Sequence, residues 1–481
     1  MRTAGGYRNR SLAKTVDWWL VACWVVMVLI GWINIYASIH STEPASIFDW
    51  NCRSGKQFVW IMSSVGIAAI ILFLIPPRAY EGLSVPIYLG VLLLLVAVIF
   101  LGVEVKGSRS WFAFGPIRFQ PAEISKISTS LLLATLMSQL GYKIGRLKDF
   151  IATALVILIP MGIIVLQSET GSALVYVGFI FMLYREGLSG WLIFMVGMAI
   201  LLFILTISVS PYIAVLTLVG VTSLCISLYS GRLKWWLIIC VPLIVLSAFL
   251  PKLFATVAWL AAVNPLWILL GCVLLSLPFA AFHAFRERNS FTHLAIISFL
   301  AGLVLVFSAD FLFNDVLQDH QRKRIEVLLG MKEDPSGVGY NVNQSKIAIG
   351  SGGFLGKGYL NGTQTTYGFV PEQSTDFIFC TIGEEWGFVG CASVILLYVF
   401  LMWRIIHDAE RSREAFTRIY GYCVACCIFM HLFINVGMTI GLMPVIGIPL
   451  PLISYGGSSM WGFTAMLFIF IALNRNERKY F

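Results

Sequence analysis

Along most of the chain apolar residues neither alternate with polar ones nor form a one-sided stripe; they run on for about eighteen residues or more between short polar breaks. A run of that length fits one helix across a bilayer, where only helices and closed barrels satisfy their own backbone. The pattern predicts fourteen spans, at 17–38, 57–76, 84–102, 122–140, 150–166, 171–185, 188–210, 212–230, 235–250, 264–285, 289–309, 377–403, 418–441 and 453–473. Spans 150–166 and 171–185 are short and meet at Gln167–Gly171, as a tight outer hairpin or one broken element. One interval breaks the rhythm. From 310 to 376 the sequence is polar and glycine-rich, and it gathers Arg322, Lys323, Arg324, Lys346 and Lys357 before apolar helix resumes. Connections usually take a few residues, so this large loop is expected to be a working surface with the spans as its mount.

Composition sharpens the class. Of 481 residues, 59% are hydrophobic and 12% charged, so 1–481 is expected to be one all-α polytopic membrane domain. The net charge of +9 does not point to nucleic acid, because the cations sit at span ends, where they orient the protein. From Arg2, Arg8, Arg10 and Lys14 to Arg475, Arg478 and Lys479, most fall on one side; Arg53, Lys56, Lys106, Arg109, Arg118 and Lys252 fall on the other. Both termini are then cytoplasmic, and 310–376 is a large extracytoplasmic loop. The N-terminus has no small-residue cleavage site and is expected to be an uncleaved first span. All ten cysteines except Cys52 lie in apolar segments, and Cys423, Cys426 and Cys427 are read as helix packing rather than metal ligands.

Few residues are left to carry chemistry. Asp376 stands where the loop meets the 377–403 helix, a costly place for a charge unless it faces a cavity or partner. It, Ser374 or Thr375 could instead cap that helix, and position alone favours neither reading. Glu384 and Glu385 follow in the same helix, with polar packing inside the bundle as the expectation. The loop 103–121 mixes Lys106, Arg109 and Arg118 with Trp111, Phe112, Phe114 and Phe119, the composition of an interfacial segment that anchors or binds. Glu123 and Lys126 share a helix face at i and i+3 and can neutralise each other. The run Gly350–Gly358 lacks the nucleotide-loop spacing; it is expected to be a flexible loop or a backbone cradle for phosphate. The interrupted stretch Gly441–Ser459 is expected to wall the chamber that holds Asp376.

Taken in order, KGSRSWF, FQPAEISK, QSETGSALV, GVGYNVNQSKIAIGSGGFLGKG, PEQSTDFIFCTIGEEWGFVG and PLPLISYGGSS resemble the SEDS family of bacterial membrane glycosyltransferases. The resemblance covers nearly the whole chain except about 205–305, and QSKIAIGSGGFLGKGYLNGTQ is most similar to the elongation-type branch rather than the division-type one. It implies a SEDS-type bundle of ten spans; about four extra helices are then expected within 205–305. It also implies polymerisation of lipid II on the outer face of the cytoplasmic (inner) membrane, by β-1,4 bonds with inversion. Asp376 matches the family's essential acid, Trp111 its essential loop tryptophan, and Glu123 and Lys126 polar positions of its cavity. Family members usually read Asp-Leu-Gly-Thr where this chain has Glu169–Ser172, which leaves the geometry of that hairpin open.

On this reading Asp376 is the base for the acceptor hydroxyl, and Lys126, Arg109, Lys346 and Lys357 contact diphosphate or sugar. Trp111, Glu123, Thr375 and Ser454 complete the expected substrate site. A divalent cation, Mg or Mn, between Asp376 and diphosphate is an alternative arrangement. The implied partner is a class B penicillin-binding protein transpeptidase. The rival readings are a lipid II flippase, a division-type paralogue and a catalytically silent scaffold.

Overall fold

The computed structural model describes residues 15–40, 46–105, 107–115, 117–229, 266–271, 273–274, 290–317, 319–329, 331 and 338–479. The chain forms two compact units, residues 1–188 with 333–481 and residues 189–332. Among the described residues nine helices are long and apolar enough to cross a membrane, and the chain is that of a multi-pass membrane protein. The predicted span 235–250 and most of 264–285 lie outside the described residues.

The first unit opens with α1 (Trp18–Ile39), whose N-cap carboxylate, Asp17, accepts from Trp19 N at 3.0 Å. Asp17 also pairs with Arg404 Nε at 2.9 Å, so one acid closes a helix end and joins two elements. Next come α2 (Arg53–Phe73), the short α3 (Pro77–Gly82) and α4 (Ser84–Leu101). The 103–121 segment then departs from the all-α expectation. It forms β1 (Val103–Val105), β2 (Ser108–Phe114) and β3 (Ile117–Phe119), an antiparallel sheet in the order β1-β2-β3 with Phe112 opposite Phe119. The β2 sequence, SRSWFAF, is three polar residues followed by four apolar ones, without the two-residue alternation that would have marked a strand against the helical runs around it.

Pro121 then starts α5 (Pro121–Met137) at a position where its missing N–H costs nothing. The helices α6 (Leu147–Leu166), α7 (Thr170–Val175) and α8 (Phe179–Arg185) follow, with a 3-10 turn at Tyr176–Gly178 between the last two. The expected span 171–185 is thus itself interrupted by that turn, and Ser168, with φ 60°, makes the corner between it and α6. After the second unit the chain returns through α13 (Val338–Ser351), to α14 (Ile378–Arg411), α15 (Ala415–Thr439) and α16 (Gly457–Lys479). Helix α14 runs beyond its predicted end and bends at Gly387 (φ 63°, ψ −159°).

The core of this unit lies around α15, which is buried along most of its length, as are Leu20, Leu131, Phe179, Leu401 and Phe470 around it. Cys423, Cys426 and Cys427 are buried there as packing residues. Some buried polar groups pair across helices: Trp24 Nε1 donates to Thr464 Oγ1 at 3.0 Å and Tyr420 OH to the Met466 carbonyl at 3.2 Å.

In the second unit α9 (Gly190–Ser208), α10 (Pro211–Tyr229) and α11 (Ser290–Phe311) pack through Leu202, Val215, Leu218 and Phe299. Residues 312–316 continue α11 as a π turn, and α12 (Asp319–Leu328) follows. The stretch 310–376 is therefore not a plain loop: among its described residues it holds α12, α13 and a run of turns from 352 to 377.

Candidate active site

Asp376 lies two residues before α14, and the N-cap position belongs to Phe377, which makes no side-chain cap bond. The backbone ahead of α14 is held by three successive carbonyl groups. The Ser374 carbonyl accepts from Tyr455 N at 2.9 Å, that of Thr375 from Ser454 Oγ at 2.6 Å, and that of Asp376 from Asn435 Nδ2 at 2.9 Å. Ser454 Oγ also accepts from Leu450 N at 2.8 Å, so the hydroxyl joins the two loops from a buried position. Arg53 Nη1 donates to Ser374 Oγ at 2.7 Å from the start of α2. Opposite the carboxylate lies bare backbone. Gly447 has φ +77°, and a Cβ placed on it would stand 3.2 Å from Asp376 Oδ2. The 441–456 stretch, expected to wall the chamber, does face Asp376.

Glu123 and Lys126 form the buried pair their spacing predicts. Lys126 Nζ lies 2.9 Å from each Glu123 carboxyl oxygen and 2.9 Å from His431 Nε2, with the Phe463 ring centroid 5.0 Å away. An ammonium has three protons, and these three acceptors use all of them. The His431 Nε2 that accepts from Lys126 leaves the ring proton on Nδ1, which lies 3.1 Å from the Pro449 carbonyl. His431 and Asn435 escaped the sequence reading; the signal available was two polar residues one turn apart on an otherwise apolar helix.

Glu384 organises the loop after α13. Its carboxylate is fully buried and accepts from Lys357 Nζ at 2.7 Å and from the backbone N–H groups of Thr363, Gln364 and Thr365 at 2.7, 2.8 and 2.9 Å. The glycine run packs against the bend of α14. Lys357 N donates to the Glu384 carbonyl at 3.0 Å, Gly358 N to that of Glu385 at 3.0 Å, and Phe388 N to that of Gly353 at 2.9 Å. A Cβ at Gly356 would stand 2.1 Å from the Glu385 oxygen. Two glycines of the run, Gly352 and Gly356, let its backbone touch that of α14, and the N–H groups of Lys357 and Gly358 are spent on α14 carbonyls. Tyr359, in the same loop, has its hydroxyl pushed up to about 12 by burial first and then by nearby Glu385.

Arg109 and Trp111 sit on β2. Successive strand residues point to opposite faces. Ser108 and Ser110 are buried on one face, where both hydroxyls donate to Glu169 Oε2, at 2.8 and 2.9 Å. Arg109, half-buried Trp111 and Ala113 occupy the other, and Arg109 Nε meets Glu104 at 3.4 Å with both side chains more than half exposed. Lys346 is exposed on α13, its Nζ beside Gly441 at the C-terminal end of α15, where the helix dipole favours a cation. Lys106 lies outside the described residues.

The structure therefore brings Asp376, Thr375 and Ser454 together, and reaches Glu123 and Lys126 from them through α15. It commits Lys357 to Glu384 and leaves Arg109 and Lys346 open to solvent.

Comparison with known proteins identifies the family. The model of a family of cell cycle proteins, FtsW/RodA/SpoVE, matches residues 17–219 and 268–479. The chain is 30% identical to the peptidoglycan glycosyltransferase RodA of Treponema pallidum, covering 96% of this chain and 98% of that one. It is 30% identical to the peptidoglycan glycosyltransferase MrdB of Escherichia coli K12, over 82% and 78% of the two chains. A chain solved in a study of polymerization and crosslinking by a peptidoglycan synthase complex superimposes with a TM-score of 0.60 at 25% identity, covering 97% of this chain and 99% of that one. The chain belongs to the FtsW/RodA/SpoVE family, the SEDS proteins, and within it is RodA-like.

Proposed function

We propose that this protein is a peptidoglycan glycosyltransferase that polymerises lipid II during cell elongation, with Asp376 as its catalytic residue. The observation that carries the assignment is the placement of Asp376. Its backbone is fixed by Asn435, Ser454 and Tyr455, and its carboxylate faces the bare backbone of Gly447. Asp376 takes the proton of the acceptor sugar 4-hydroxyl as that oxygen attacks the donor anomeric carbon from the side opposite the leaving group. The bond from that carbon to the diphosphate oxygen breaks, its electron pair leaves with undecaprenyl diphosphate, and the new β-1,4 bond has inverted configuration. Arg109 and Lys346, the two expected cations that face solvent, are the contacts for the diphosphate. Lys126 and Lys357 contribute through their partners Glu123 and Glu384, and Trp111 offers an aromatic face beside Arg109.

A divalent cation, Mg or Mn, is the alternative arrangement, with Asp376 as the residue that would hold it. Among the described residues no group of three or more His, Cys, Asp and Glu side chains is disposed to hold a metal ion. Asp376 would share such an ion with diphosphate oxygens and water, and the ion would offset the charge of the leaving group.

The charge asymmetry of the sequence supports an orientation with both termini inside and Asp376 outside, in the cytoplasmic membrane that the family resemblance implies. The expected partner is a class B penicillin-binding protein that crosslinks the new strand; the similar chain of known structure comes from work on a complex that coordinates the two activities.

The decisive experiment compares glycan strand formation from purified lipid II by the wild type and Asp376→Asn, each with its transpeptidase partner. Polymer from the wild type alone is the expected result. Equal polymer from both would remove Asp376 from the chemistry, and lipid II translocation without polymer would favour a flippase.

A further inference from the structure

His431 and Asn435 lie four residues apart on α15 and therefore on one face, one turn from each other. Both are buried, at 1% and 0% exposure. His431 joins Lys126 Nζ to the Pro449 carbonyl, at 2.9 and 3.1 Å. Asn435 Nδ2 joins the Ile448 carbonyl to the Asp376 carbonyl, at 2.7 and 2.9 Å. The two carbonyl groups they hold in the 441–456 segment are adjacent, and the residue before them is Gly447, where an added Cβ would stand 3.2 Å from Asp376 Oδ2. One helix face thus fixes the backbone of Asp376, fixes the wall opposite its carboxylate, and ties that wall to the Glu123–Lys126 pair.

We infer that His431 and Asn435 are positioning residues for glycosyl transfer, setting the distance between the Asp376 carboxylate and the 447–449 backbone and coupling it to the Glu123–Lys126 pair. This rests on the assignment of Asp376 as the group that receives the acceptor proton. Satisfying carbonyl groups of an irregular segment inside a membrane would by itself explain the bonds. It does not require that both donors come from one helix face, nor that one of them also hold the backbone of the reacting acid. A displacement of the acid by about 1 Å costs a transfer reaction on the order of a hundredfold in rate.

The test uses the full-length protein with its transpeptidase partner and lipid II as the probe. His431→Leu and Asn435→Ala are expected to lower kcat by roughly ten- to a hundredfold while KM for lipid II moves less than about threefold. His431→Gln, whose amide can accept from Lys126 and donate to Pro449, is expected to recover about tenfold over His431→Leu. Full-rate polymerisation by folded His431→Leu and Asn435→Ala overturns the inference, as does a raised KM at unchanged kcat, which would make these residues substrate contacts. Should either variant fail to fold, His431→Asn and Asn435→Ser decide, because their shorter side chains cannot span both partners: a lowered kcat at unchanged KM supports the inference, and a full rate overturns it. Asp376→Asn in the same assay separates the two claims. Polymer from Asp376→Asn removes the underlying assignment, whereas an inactive Asp376→Asn beside fully active His431→Leu and Asn435→Ala overturns the positioning role alone.

Discussion

Lys357 Nζ lies 2.7 Å from Glu384 Oε1, and the pair closes a loop whose backbone N–H groups also point at that carboxylate. The acid is the centre of the arrangement and the lysine, a quarter exposed, its accessory. Glu384→Ala is therefore expected to destabilise the 357–365 loop by about 3 kcal/mol, because it strands several buried donors. Lys357→Met should cost about 1 kcal/mol, since the backbone donors remain. Limited proteolysis of the loop, with thermal unfolding in detergent, measures both; equal effects would contradict the ranking.

The glycines that contact α14 should behave unlike their neighbours. Gly356 has φ +82° and no room for a Cβ, so Gly356→Ala is expected to cost several kcal/mol or abolish folding. Gly350, in α13, has open space where a Cβ would lie, and Gly350→Ala is expected to gain about 0.5 kcal/mol. Expression yield and unfolding temperature of the two variants give the comparison.

For the Glu123–Lys126 pair, removal of one member leaves a buried charge alone. Lys126→Met is expected to cost on the order of 3–5 kcal/mol, and Glu123→Gln somewhat less. The double variant should be more stable than the sum of the two losses implies, by about 1–3 kcal/mol, and additive losses in the thermal unfolding cycle would mean that the pair does not interact.

Glu169 holds the sheet that carries Arg109 and Trp111 through two hydroxyl bonds to one oxygen. Glu169→Gln keeps an acceptor oxygen at the same reach and should lose about 1 kcal/mol, while Glu169→Ala should lose about 2–3 kcal/mol. Glu169→Asp, one methylene shorter, should fall between them. Trp111 fluorescence during denaturation, in a background with other tryptophans held constant, is the readout; an unaltered Glu169→Ala would show that the sheet needs no such tie.

What the sequence determined by itself was whatever depends on local composition. Long apolar runs fix spanning helices through the cost of an unpaired backbone in lipid, and the i, i+3 spacing of Glu123 and Lys126 fixes their pairing through the helix repeat. The motifs around Asp376 and Trp111 marked the family for the same reason: they are contiguous stretches. The tertiary structure alone decided which polar groups are spent on one another. Lys357 meets Glu384 from 27 positions away, Glu169 meets Ser108 and Ser110 some sixty positions away, and His431 meets Lys126 from another helix. Nothing local distinguishes a lysine with three acceptors around it from one that faces solvent, because hydrogen-bond donors are consumed by whatever the fold brings within about 3 Å.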